Sequence, residues 1–123
     1  MTTGQELPTI LEAVRWLMNL SELLESVTRP GGELEKLDEE RIAAKARFEK
    51  QYARSYLVAT GTVEDRKQKA ILQTIEDRFA LETAEAKVKA CQERVRTLRA
   101  QIDVGRSLQT TVRSELEALG RNP

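Results

Sequence analysis

Carboxylates are the side chains of this 123-residue chain whose spacing most suggests catalysis. Glu22 and Glu25 stand three residues apart, as do Glu35 and Asp38, so each pair would share one face of a helix. Two such pairs facing each other offer the oxygen ligands that Mg²⁺ takes. The rest of the sequence gives catalysis little to work with. It contains no histidine, which removes Ser-His and Cys-His nucleophiles, imidazole metal sites and the Glu-x-x-His ligands of di-iron bundles. Its glycines, Gly4, Gly31, Gly32, Gly61, Gly105 and Gly120, form no phosphate loop of either common type.

The spacing Glu22-x-x-Glu25…Glu35-x-x-Asp38 resembles the E-x-x-E…E-x-x-D pattern of the all-α nucleotide pyrophosphohydrolases, which implies Mg²⁺-dependent nucleotide hydrolysis. The two pairs are closer in sequence than in that family, and its further acidic and lysine positions are not evident. The plainer reading places these residues on a solvated face and at a helix start, where carboxylates are at home. No catalytic residue, metal ligand or cofactor is assigned.

Basic residues offer a second kind of chemistry. Arg96, Arg99, Arg106 and Arg113 keep roughly to one side of a helix under heptad spacing. Arginines on a rigid helix can meet successive phosphates, so these four are candidate nucleic-acid contacts. The competing reading has them flank a coiled-coil seam and meet acidic neighbours. No aromatic residue interleaves with them, which disfavours a base-stacking platform.

Three helices must position these groups. The first runs from about Pro8 to Thr28, starting at Leu7-Pro8 or Thr9, with an apolar stripe of Ile10, Val14, Leu17, Leu24 and Val27. Leu11, Met18, Leu20 and Leu23 widen the stripe, so the helix must be covered, with Trp16 as a buried anchor. Arg29-Pro30-Gly31-Gly32 breaks it. The second helix spans about Glu33 to Thr60, with Leu34, Leu37, Ile42, Ala44, Phe48, Tyr52 and Leu57 on its apolar face. Gly61 can close it in the left-handed conformation, and Thr62 with Asp65 forms an acidic capping box for the next helix. So short a connection predicts an antiparallel hairpin.

The third helix has no internal stop from Val63 to Leu119, about 85 Å at 1.5 Å per residue. From Ala84 its apolar positions alternate by four and three through Val88, Cys91, Val95, Leu98, Ile102 and Gly105, then Val112, Leu116 and Leu119, with Gln109 as the polar interruption. That is coiled-coil spacing. Earlier, Ile71, Ile75 and Phe79 form a stripe in another phase, and the five-residue step from Phe79 to Ala84 predicts a change of partner there. The second helix is too short to cover the far half of the third. The first helix, a second subunit, or both in a dimeric bundle must do so. Leu17, Trp16, Val95, Leu98, Ile102, Val112 and Leu116 are the candidate partner or oligomer interface.

Composition agrees: 33% of residues are charged and only 4% aromatic, the mixture of long helices and coiled coils. Such a chain buries little surface alone, and self-association is the natural remedy. Net charge is zero, but residues 1–40 carry nine acidic and three basic side chains (−6) and residues 41–123 carry eleven and seventeen (+6). The single cysteine, Cys91, excludes an intrachain disulfide and fits a reducing compartment; its place in the stripe predicts a buried, inert thiol. With no secretory signal and no membrane-spanning apolar run, the expected location is the cytoplasm.

The segment ARSYLVATGTVEDRKQKA at residues 53–70, followed by RTLRAQIDVGRSL at 96–108, resembles a pattern in small helical accessory proteins of tailed bacteriophages and prophages. In these, an aromatic-bearing helix ends at a Gly-(Ser/Thr)-x-x-(Glu/Asp)-Arg-Lys turn and a long helix follows, ending near an Arg-Ser pair. Gly61, Thr62, Asp65, Arg66, Lys67, Arg106 and Ser107 match. The resemblance covers residues 45–118 and implies an accessory protein encoded among replication and recombination genes. It brings no catalytic residues.

The expected architecture is all-α: a long antiparallel hairpin with a coiled-coil extension, three helices, and an oligomeric bundle with a dimer favoured. Residues 1–32 form an apolar helix and hinge, and residues 33–123 the hairpin. The expected function is non-enzymatic binding or assembly as a phage or prophage accessory factor, through protein contacts and, as a candidate, DNA. The alternatives are a host-protein interaction or inhibitor module using the first helix, and the nucleotide pyrophosphohydrolase.

Overall fold

The computed structural model describes residues 10–121. Among them there are helices and no strand: α1 (Ile10–Thr28), α2 (Glu33–Val58), α3 (Val63–Gln73) and α4 (Ile75–Arg121). The expected start of α1 at Leu7, Pro8 or Thr9 lies outside the described residues.

α3 and α4 are the expected third helix with one flaw. Thr74 N–H donates to Ala70 O at 3.1 Å and Arg78 N–H to Thr74 O at 2.9 Å, so the four-residue ladder passes through the break. Thr74 itself is distorted (φ −115°, ψ 15°). Its N–H is shared with Ile71 O, and its hydroxyl donates to Ala70 O at 2.7 Å. A hydroxyl bonding back to the carbonyl four residues earlier competes with the ladder and bends a helix.

The chain divides into two compact units, one of α1 with residues 93–121 of α4, the other of Pro30–Gln92.

In the second unit the sequence's turn signals are all in use. Gly31 takes φ +76° and its N–H donates to Glu35 Oε2, leading into α2 with Glu33 and Glu35 in its first turn. α2 stops at Val58, two residues before the expected Thr60, with Ala59 N–H on Ser55 O. Gly61 takes φ +112°, and Thr62 and Asp65 form the expected reciprocal capping box. α2 and α3 then pack as the hairpin.

The inward row of α2 keeps five of its seven expected residues, whereas that of the facing helix differs from the expected one. On α2, Leu34, Leu37, Arg41, Ala44, Phe48, Tyr52, Ser55 and Ala59 are buried or half-buried in steps of three and four, while Ile42 and Leu57 are exposed. On the facing helix the row is Ala70, Thr74, Asp77, Leu81, Ala84, Val88 and Cys91. Ile71, Ile75 and Phe79 lie outside it, Phe79 at 70% exposure. The predicted five-residue phase change at Ala84 therefore does not exist. One seam runs in unbroken four-three alternation from Ala70 through α4, and the unit boundary falls at Glu93 instead.

In the first unit α1 buries Ala13, Leu17, Leu20, Leu24 and Val27, again in steps of four and three, against the α4 row Val95, Leu98, Ile102, Gly105 and Gln109. The two run antiparallel, since residues 10–16 line a groove with residues 105–116 and residues 21–28 line another with residues 99–106. The cover for the far half of the long helix thus comes, in part, from the chain's own first helix. Ile10, Val14, Met18 and Leu23 stay exposed, and Trp16 is 45% exposed. Of the expected α1 stripe, Leu17, Leu24 and Val27 face inward and Ile10 and Val14 do not, and Trp16 is no buried anchor.

Candidate interaction surfaces

Gly105 decides how closely α1 and α4 approach. A β-carbon there would overlap the Leu17 side chain and stand 2.7 Å from Trp16 Cζ3. A seam position held by glycine lets the partner helix settle onto bare backbone, which offsets the roughly 1 kcal/mol that glycine costs inside a helix. Beyond this contact an open groove of about 810 Å³ begins, lined by Ile10, Ala13, Val14 and Trp16 from α1 and by Gly105, Leu108, Val112 and Leu116 from α4. The charged residues among those lining it are Glu12, Arg113 and Glu115.

The seven residues expected as an interface fall into two groups. Leu17, Val95, Leu98 and Ile102 are buried within the chain; Trp16, Val112 and Leu116 are open and belong to the groove. Val112, Leu116 and Leu119 continue the α4 seam in phase beyond Gln109, yet all three are exposed.

The four arginines separate as well. Arg99 and Arg106 flank the seam on the edge opposite Trp16 and Leu108, in a shallow polar groove with Ser21, Glu25, Thr28 and Asp103. Arg113 lines the apolar groove, as do Glu12 and Glu115. Arg96 is paired with Glu93 three residues earlier. Acidic side chains accompany each of them, the arrangement expected of arginines flanking a helix seam. Arg99, Arg106 and Arg113 still recur every seven residues on one edge, roughly 10.5 Å apart along the axis.

Two of the four carboxylates considered for Mg²⁺ have local work. Glu35 accepts from the Gly31 N–H, and Asp38 pairs with Arg41 at 2.8 Å. The Asp38 hydrogen bond and charge, with Glu85 adding to them, raise the Arg41 guanidinium above its ordinary value. Among the described residues no three His, Cys, Asp or Glu side chains gather as a metal site. Cys91 is buried in the seam, as its spacing predicts.

The hairpin turn is held by two basic residues of α3. Arg66 stacks over the Tyr56 ring, 4.5 Å from its centroid, while its Nε and Nη2 donate to Tyr56 O at 3.3 and 3.2 Å. Lys69 donates to Thr60 O at 2.7 Å. α2 has no basic residue in its own last turn, so the cations that favour a helix C-terminus come from the next helix.

Hydrophobicity in the sequence overlooked Ala70, Thr74, Asp77 and Leu81, because three of the four are small or polar. Stepping backward from Ala84 by three and four would have reached them. What hydrophobicity did find, Ile71, Ile75 and Phe79 with Leu72 beside them, forms an exposed apolar strip on the outer side of the second unit.

No helix among the described residues is long and apolar enough to cross a membrane. No protein-family model, curated protein or solved structure matches the chain.

Proposed function

We propose that this chain is a non-enzymatic assembly protein that works by holding other helices against its own. The observation that carries this reading is the exposure of large apolar side chains in helical register, on the α1–α4 groove and on the Ile71–Phe79 strip. Contiguous apolar surface of that kind marks protein interaction sites, and an amphipathic helix in an apolar groove is a common way to use it. The resemblance of residues 45–118 to phage and prophage accessory proteins suggests the setting. A host-protein inhibitor acting through α1 is a narrower version, and Ile10, Val14 and Trp16 would be its contacts. A pull-down with the full chain and with variants Trp16→Ala and Phe79→Ser tests the assembly reading. Partners retained by the parent chain and lost with one variant support it, and partners lost with neither count against it.

DNA binding is the second reading, favoured by the edge of Arg99, Arg106 and Arg113. Their spacing, about 10.5 Å, is close to the rise of three nucleotides of one strand at 3.4 Å each. Titration of a duplex oligonucleotide across a salt series tests it. Affinity falling steeply with salt and weakened uniformly by Arg106→Ala is the expected result; no binding at about 50 mM salt removes this reading.

A further inference from the structure

We infer that the edge of the α1–α4 pair bearing Met18 and Arg106 takes an amphipathic helix of a partner protein, one whose apolar row is bordered by carboxylates seven residues apart. The inference rests on the assembly reading and names the chemistry of the helix that is held.

Three arginines of α4, Arg99, Arg106 and Arg113, recur every seven residues along this edge. On α1, Glu25, Met18 and Leu11 recur at the same interval. The helices are antiparallel with Leu17 against Gly105, and Glu25 shares a groove with Arg99. The same register sets Met18 level with Arg106 and Leu11 level with Arg113. Positions bordering a helix seam ordinarily answer a cation with a carboxylate. Here only Glu25 does so, and the other two levels offer exposed apolar side chains, Met18 at 58% and Leu11 at 67% exposure. Among the described residues none of the three guanidiniums is in an ion pair, although Glu25 and Asp103 line the groove with Arg99 and Arg106. Arg41, Arg78 and Arg96, by contrast, are each paired within their own helix. Met18 lies near the middle of α1, roughly 12 Å along the axis from its first described residue.

The occupant follows from what each row lacks. Arg106 and Arg113 call for two anionic groups about 10.5 Å apart, and Met18 and Leu11 call for apolar cover beside them. One helix supplies both. Its carboxylates at i and i+7 meet the arginines, and apolar side chains on the adjoining row cover the methionine and the leucine. Phosphates of a nucleic-acid strand satisfy the spacing but leave Met18 and Leu11 in water. A polyanion or an anionic lipid surface also presses charge onto Glu25 and Asp103, which discrete carboxylates on a helix avoid.

The test uses the full chain and a labelled helical peptide of three heptads, with leucine at its a and d positions and glutamate at each e position, followed by fluorescence anisotropy. A companion peptide carries lysine in place of glutamate. The expected result is that the glutamate peptide binds at least about tenfold more tightly than the lysine peptide and is weakened by salt. Arg106→Glu should invert that order, and Met18→Ser should weaken the glutamate peptide by about tenfold. Both positions are exposed, so circular dichroism should show unchanged helical content for either variant. Trp16 emission should stay constant on binding, because the indole stands on the opposite edge. Equal affinity for the two peptides, or binding of neither, overturns the inference. So does binding that shifts Trp16 emission and ignores Arg106→Glu, although the assembly reading then survives on the groove beside Trp16. A duplex oligonucleotide that binds where neither peptide does overturns it in favour of phosphate contact.

Discussion

The indole of Trp16 lies across the backbone of Gly105, so close that a β-carbon at residue 105 would stand 2.7 Å from Cζ3. Gly105→Ala sets two effects against each other. Alanine improves helix propensity by up to about 1 kcal/mol, whereas overpacking costs about 1–3 kcal/mol. Trp16 can swing outward, but Leu17 is buried, so overpacking wins. The variant should lose about 1 kcal/mol in urea denaturation, with Trp16 emission shifted to the red. A more stable variant with unchanged emission would show that the two helices do not touch there.

Arg66 joins the two helices of the hairpin through Tyr56. Removing its stacked guanidinium leaves Tyr56 O without either donor, so Arg66→Ala should cost about 1–2 kcal/mol. At the usual scaling this lowers the melting temperature by about 4–16 °C. Arg66→Lys should restore little, since lysine keeps the charge but not the planar fork. Full rescue by lysine would reduce the contact to charge alone.

Gly61 holds φ +112°, and a β-carbon there would also press within 3.0 Å of Asp65 Oδ2, the carboxylate that closes the capping box. Gly61→Ala should therefore destabilise by about 1–3 kcal/mol. Thr62→Ala, which removes the cap alone, should cost about 1 kcal/mol. Because both act on one turn, the double variant should fall short of their sum, which chemical denaturation of all three would reveal.

Phe79 and Ala70 exchange the roles that hydrophobicity assigns them. Phe79→Ser, at an exposed site, should change stability by no more than about 0.5 kcal/mol. Ala70→Leu, at a fully buried one, should cost about 1–3 kcal/mol through overpacking. The opposite order in thermal melts would return the seam to the Ile71–Phe79 stripe.

The helices and their punctuation were legible because local rules govern them. Gly61, Thr62 and Asp65 are identifiable without any neighbour, since positive φ and capping are properties of a few consecutive residues. Four-three spacing from Ala84 to Gly105 was legible for a similar reason: periodicity survives when most seam positions are apolar. It failed where the seam is Ala70, Thr74 and Asp77, because small and polar residues fill the narrow gap between the hairpin's helices while larger ones sit outside. On α1, where apolar residues surround the helix, hydrophobicity found Leu17, Leu24 and Val27 but took the exposed Ile10 and Val14 with them. The same limit hid the groove: Trp16, Val112 and Leu116 read like buried seam residues, as Leu17 and Val95 are.

By itself, the sequence determined the helical class, the break at Gly61 and Thr62, the seven-residue rhythm of the long helix and the want of histidine that weighs against most catalysis. Only tertiary structure decided which side of each helix faces its mate, and that Gly105 receives Trp16 and Leu17. The reason is physical. Backbone hydrogen bonding and capping act over four residues, whereas burial depends on what arrives from the other end of the chain. Residues seven apart in one helix look alike until α1 lies over one of them and not over the next.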